Sequence, residues 1–102
     1  MNENIGEKYL PIGSIVLLKG GNKKLMITGY CAFQNQGKKE MFDYCGCLYP
    51  EGIISSDQIL LFDHSQISEV YFIGFANEEQ IEFISNLKKL INNANNENLK
   101  IE

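Results

Sequence analysis

A small, mainly β fold of the α+β class is expected: a five-stranded antiparallel SH3-like small barrel, or a curved meander, with a C-terminal amphipathic helix. Three features of the sequence point to it. Five apolar stretches of strand length alternate with glycine-bearing punctuation, the last third of the chain changes to a helical period, and 102 residues suffice for one domain with a modest core.

The stretches are IGSIVLLKG, KKLMITGYCAF, EMFDYCGCLYP, DQILLF and SEVYFIGF. Lys19-Gly20-Gly21-Asn22 joins the first two, and its glycines supply the positive φ angles of a tight hairpin. QNQGKK joins the second and third in the same way. After the third, Tyr49-Pro50-Glu51-Gly52 has Pro second and Gly fourth, which suits a type I turn. Short curved strands with tight turns must hide their edges, and partial closure with a helix alongside does so.

The segment NEEQIEFISNLKKLINN places Ile81, Ile84, Leu87, Leu90 and Ile91 at helical spacing, read as one apolar side of an amphipathic helix. Asn77 suits the N-cap, Gln80 the capping-box position, Glu78 and Glu79 the positive end, and Lys88 and Lys89 lie nearer the negative end. A helix over 77–93 would span about 25 Å, enough to cover one side of a small sheet. One compact domain over 9–93 with flexible termini at 1–8 and 94–102 follows from the polar start and the asparagine-rich end.

Nine basic against thirteen acidic residues, a net charge of −4, argue against nucleic-acid binding. The start MNENIGEKYLPIGS has no basic, then apolar, leader pattern, and no apolar stretch approaches the roughly 20 residues needed for a membrane span. These features suit a cytoplasmic protein. Three cysteines, two of them separated by one glycine, suit reduced thiols better than a disulfide framework.

Cys45 and Cys47 share one face of an extended strand with Asp43 and Tyr49, while Tyr44, Gly46 and Leu48 take the other. Zinc ligands usually sit two to four residues apart so that a turn wraps the metal. A site from Cys31, Cys45, Cys47 and His64 would need three segments to converge, so burial of small apolar thiols is the favoured reading. No metal or cofactor is expected. Gly46 admits a close neighbouring backbone or the helix, or marks a bulge.

His64, in FDHSQI, reads as part of a tight turn with Asp63. A lone histidine without a nucleophile motif or paired carboxylates does not make an enzyme. LKGGNKK lacks the spacing of a phosphate-binding loop, and its lysines solvate a hairpin. Tyr71, Phe72 and Phe75 flank Ile73 and Gly74 in a run apolar on both faces, which implies cover by the core on one side and by the helix or a partner on the other. At about 100° per residue Phe83 projects between Leu87 and Leu90 and is expected to widen the buried face of the helix; exposed beside Leu90 it would instead create a contact patch. Tyr71, Phe72, Phe75 and Phe83 are therefore the candidate protein-binding residues.

The succession YLPIGSIVLLKGGNKKLMITGY, DYCGCLYPEG, FDHSQISEVYFIGF resembles the family called domain of unknown function 4176. The resemblance runs from Tyr9 to Phe75 and on into the helix. It is carried by Leu10, Pro11, Ile12, Gly13 and Ser14, then Asp43, Tyr44, Gly46, Tyr49, Pro50 and Gly52, then His64, Ile67, Val70, Gly74 and Phe75. Of these Pro11, Gly13, Asp43, Tyr44, Gly46, Tyr49, Pro50, Gly52 and His64 are expected to serve structure. Cys45 stands where the family often has an aliphatic residue, which favours packing. The resemblance implies an accessory product of Gram-positive bacteria, encoded near LXG toxins and type VIIb secretion genes, and brings no catalytic residues. The expected function is that of a non-catalytic adaptor or chaperone-like protein binding an LXG toxin or an associated secretion component. The alternative is an immunity protein neutralising a cognate toxin.

Overall fold

A computed structural model describes residues 6–36, 38–55 and 58–101, with the backbone alone over 32–36, 38–40 and 94–101. In chain order they form β1 (Ile15–Leu18), β2 (Leu25–Gln36), β3 (Lys38–Leu48), β4 (Leu60–Phe62), a 3-10 turn at His64–Gln66, β5 (Ile67–Phe72) and α1 (Glu78–Ile101). The strands make one antiparallel sheet in the order β4-β3-β2-β1-β5. The five expected strands and the terminal helix are all present. β1 to β4 follow one another across the sheet, but β5 returns to pair with β1. The two outermost strands are joined by the 3-10 turn, and no ladder links them among the described residues.

The long β2–β3 hairpin is paired from Leu25↔Leu48 to Gln36↔Lys38, with Gly37 of its expected turn outside the described residues. The register shifts between Ile27 and Gly29, so Thr28 is an extra residue on β2 that increases the local twist. Opposite it, a Cβ on Gly46 would come within 2.5 Å of the Met26 carbonyl oxygen and 3.2 Å of Phe62 Cε1. Gly46 thus admits a neighbouring backbone, as expected; that backbone is β2 rather than the helix, and the bulge lies across the ladder. The first connection is looser than the expected tight hairpin: the β1–β2 ladder ends at Val16↔Leu25, a turn inside the intervening loop is closed by Gly21 N–H to the Leu18 carbonyl at 3.0 Å, and of the two glycines Gly20 takes the positive φ, +78°. The reversal after β3 differs from the expected type I turn: Gly52 N–H reaches back to Leu48 O at 2.8 Å, one residue further than such a turn spans, and the Tyr49–Pro50 peptide is cis.

The core gathers Leu10, Val16, Leu25, Ile27, Tyr44, Phe62 and Ile67, with Leu18, Tyr30, Leu48, Leu60 and Val70 against it. Strand alternation puts Tyr44, Gly46 and Leu48 on this side. Because Gly46 has no side chain, the Phe62 ring lies close and stacks on Tyr44 at 5.3 Å between centroids.

Asn77 caps α1, its Oδ1 accepting the Gln80 N–H at 3.0 Å. The helix runs past residue 93 to Ile101. The expectation of loose ends falls partly on residues 1–5 and 102, outside the described residues; residues 94–101 are helical. Docking of the whole apolar side is not what the structure has. Gln80, Ile84, Leu87, Lys88 and Ile91 are half-buried, whereas Ile81 is 62% and Leu90 66% exposed. The cause is geometric: Ile81 and Leu90 are about two and a half turns apart, on opposite sides of the helix, so no single face holds both. The half-buried face leans on the N-terminal segment. A groove of about 550 Å³ lies between Glu7–Pro11 and the α1 side that carries Ile81, Ile84 and Lys88. Lys88 reaches across to Glu7 at 3.4 Å.

Candidate functional site

Tyr71 and Phe72 end the edge strand β5, and Ile73 to Asn77 carry the chain out to α1. In this run only Gly74 is buried; Tyr71, Phe72, Ile73 and Phe75 are exposed, Phe75 to 79%. The expected cover on both faces is therefore absent from these aromatic side chains. The strand stops at the sheet edge, and the helix that would have covered it leans on the N-terminal segment instead. Phe83, 54% exposed, belongs to the contact patch more than to the buried helix face.

The structure divides the four candidate residues between two shallow hollows. Phe75 and Phe83 border one of about 430 Å³ together with Ile12, Tyr30 and the start of α1. The Phe83 ring tilts against Tyr30 at 6.3 Å. Tyr71 and Phe72 border another of about 450 Å³ with Ile15, Lys24 and Tyr49. Lys24 Nζ stands 4.6 Å above the Tyr71 ring, a cation–π contact, and the Tyr71 hydroxyl donates to Glu69 Oε1 at 2.8 Å. Ile12, read as part of the family motif, Lys24, read as solvating a hairpin, and Tyr30 were not among the candidate binding residues. Ile12 had a local signal: between buried Pro11 and Gly13, which has φ +95°, the chain turns and points its side chain outward.

The motif residues bind segments far apart in sequence. Gly13 N–H donates to Ile27 O at 2.8 Å, and Ile27 N–H donates to Ser14 O at 2.9 Å. Tyr44, with no exposed surface, accepts the Tyr9 and Leu10 N–H groups at its hydroxyl, 2.8 and 3.0 Å away, and lies 2.8 Å from His64 Nδ1. Asp43 and the Asp63–His64 corner clasp each other: Asp43 N–H donates to Asp63 Oδ1 at 3.0 Å and His64 N–H to Asp43 Oδ2 at 2.9 Å. Lys8 pairs with Asp43 Oδ1 at 3.2 Å. Burial pushes the Tyr44 hydroxyl up to about 12 and raises Tyr9 and Tyr30 as well.

The thiols stay in the packing. Cys47 is buried, and Cys45 Sγ fills the space at Gly29, with Thr28 Oγ1 at 3.7 Å. Burial pushes the Cys31 thiol up, which disfavours the thiolate. His64 is engaged at both ring nitrogens, by Tyr44 and by the Gly6 carbonyl at 3.2 Å, rather than gathered with the cysteines. Among the described residues, no three His, Cys, Asp or Glu side chains stand together as a ligand set, and no helix is long and apolar enough to cross a membrane.

The family model described as Domain of unknown function (DUF4176) matches residues 9–83. The chain belongs to that family. The matched span begins at Tyr9, whose N–H is held by Tyr44, and ends at Phe83, so it takes in the whole sheet and the first turns of α1. No curated protein and no solved structure matches the chain. The family carries no assigned activity, so the aromatic hollows rest on the geometry alone.

Proposed function

We propose that the protein is a non-catalytic, cytoplasmic accessory factor, an adaptor or chaperone-like protein, that works by binding another protein of an LXG toxin and type VIIb secretion locus. The observation that carries the binding role is the pair of aromatic hollows flanking the Tyr71–Phe83 segment, where exposed rings stand at the end of β5, on the connector before α1 and on the first turns of α1. Exposed aromatic side chains grouped on one surface are the usual anchors of protein interfaces. The locus is what the family resemblance suggests.

Co-expression with the neighbouring toxin and its small companion proteins tests this. The chain is expected to co-purify with one of them and to show no hydrolytic activity alone. The double variants Phe75→Ala with Phe83→Ala, and Tyr71→Ala with Phe72→Ala, should weaken the complex with circular dichroism unchanged, while Asn86→Ala should not. Protection of cells against a delivered toxin would move the assignment to an immunity protein. A complex indifferent to both double variants would place the interface elsewhere.

A further inference from the structure

The phenolic oxygen of Tyr44 has three polar neighbours, and their protons can be counted. The Tyr9 and Leu10 N–H groups can only donate, and they use both acceptor positions of the oxygen. The hydroxyl hydrogen is therefore directed at His64 Nδ1, 2.8 Å away, which must be bare to receive it. A neutral ring with bare Nδ1 carries its proton on Nε2, and Nε2 faces the Gly6 carbonyl at 3.2 Å. Both ends of the imidazole thus require the same tautomer. Three residues of one strap, Gly6, Tyr9 and Leu10, hang on this Tyr44–His64 pair.

We propose that the pair is a pH-sensitive clasp: when His64 takes up a second proton, Nδ1–H meets a phenol oxygen with no acceptor position left, and the strap Gly6–Leu10 is released from β3. Tyr44 is wholly buried, so water cannot stand in for the lost partner. The charged groups around the ring come from each element beside it. β3 supplies Asp43, whose oxygens are held by the His64 backbone N–H and by Lys8. The corner supplies Asp63, whose Oδ1 is held by the Asp43 N–H. The strap supplies Lys8. Among the described hydrogen bonds, neither carboxylate reaches a ring nitrogen, so neither replaces the phenol as partner of Nδ1–H. The open clasp holds one proton more than the closed one, and acid therefore favours opening. Because the strap forms one wall of the groove along α1, its release bares the Ile84 side of the helix. This regulation goes beyond the binding role proposed above and does not depend on it.

The test uses the full chain without a partner. Nitrogen-15 shifts of the His64 ring at about pH 8 should show a bare Nδ1 and a protonated Nε2. Amide hydrogen exchange, corrected for its intrinsic pH dependence, should show Tyr9 and Leu10 losing about tenfold or more of their protection at about pH 5, while Ile27 keeps its own. His64→Asn supplies a non-titrating acceptor near the Nδ1 position and should make the protection of Tyr9 and Leu10 independent of pH. A protonated Nδ1 at about pH 8, unchanged protection at about pH 5, parallel loosening of Ile27, or pH dependence surviving in the Asn variant would each overturn the proposal. Should that variant not fold, the two measurements on the parent chain decide.

Discussion

The buried hydroxyl of Ser14 accepts the backbone N–H of Gly74 at 2.9 Å, joining the entrance of the first strand to the exit of the last. The contact is close because Gly74 lies directly against the backbone of Ile12 and Ser14, where a Cβ would overlap the Ile12 carbonyl. Two residues that the family motif places 60 positions apart are thus one structural joint.

Ser14→Ala should leave the Gly74 N–H without a partner and cost about 1–3 kcal/mol. Gly74→Ala should cost a similar amount by forcing the two segments apart. Because both changes break the same joint, urea denaturation of the double variant should show less than the sum of the two.

Tyr44→Phe keeps the ring stacked on Phe62 but removes the acceptor of two N–H groups, so a loss of about 3 kcal/mol is expected. Tyr30→Phe removes only the hydroxyl that donates to Leu10 O at 2.6 Å, and about 1 kcal/mol is expected. Equal denaturation midpoints for the two variants would show that the Tyr44 hydroxyl is not the central support of the strap.

Alkaline stability should follow the buried tyrosines. Folding raises Tyr44 from 10.0 to about 12, so in that interval the folded chain holds a proton that the unfolded chain has lost. This contribution is fully present below about pH 10 and is lost as the pH rises through about 12. The urea midpoint should accordingly fall over this range, with phenolate absorbance rising as the chain unfolds.

On α1 the two sides should respond differently. Ile84→Asp, on the half-buried face, should cost about 1–2 kcal/mol, whereas Ile81→Asp should change stability by less than about 0.5 kcal/mol. Asn77→Ala should cost about 1 kcal/mol through loss of the cap. Thermal melts of the three variants check the ranking.

Thiol titration gives an independent view of packing. Cys47 should react with an aromatic disulfide reagent only on unfolding, and Cys31 should reach its full rate at higher pH than free cysteine because burial disfavours its thiolate.

The number of strands, the turn at Gly20-Gly21, the alternation that turns Tyr44 inward and the Asn77 cap were all legible in the sequence. Each is a local matter of period, turn chemistry or a side chain bonding its own backbone neighbours. The same holds for Gly46, whose place inside an apolar strand announced a close approach. The return of β5 to β1, the Ser14–Gly74 joint and the Tyr44–His64 pair were decided by tertiary structure, because they bring together residues with no local periodic relation. So was the exposure of Ile81, Phe75 and Phe83: helical spacing says which residues share a side, but only packing against the N-terminal segment decides which side is covered.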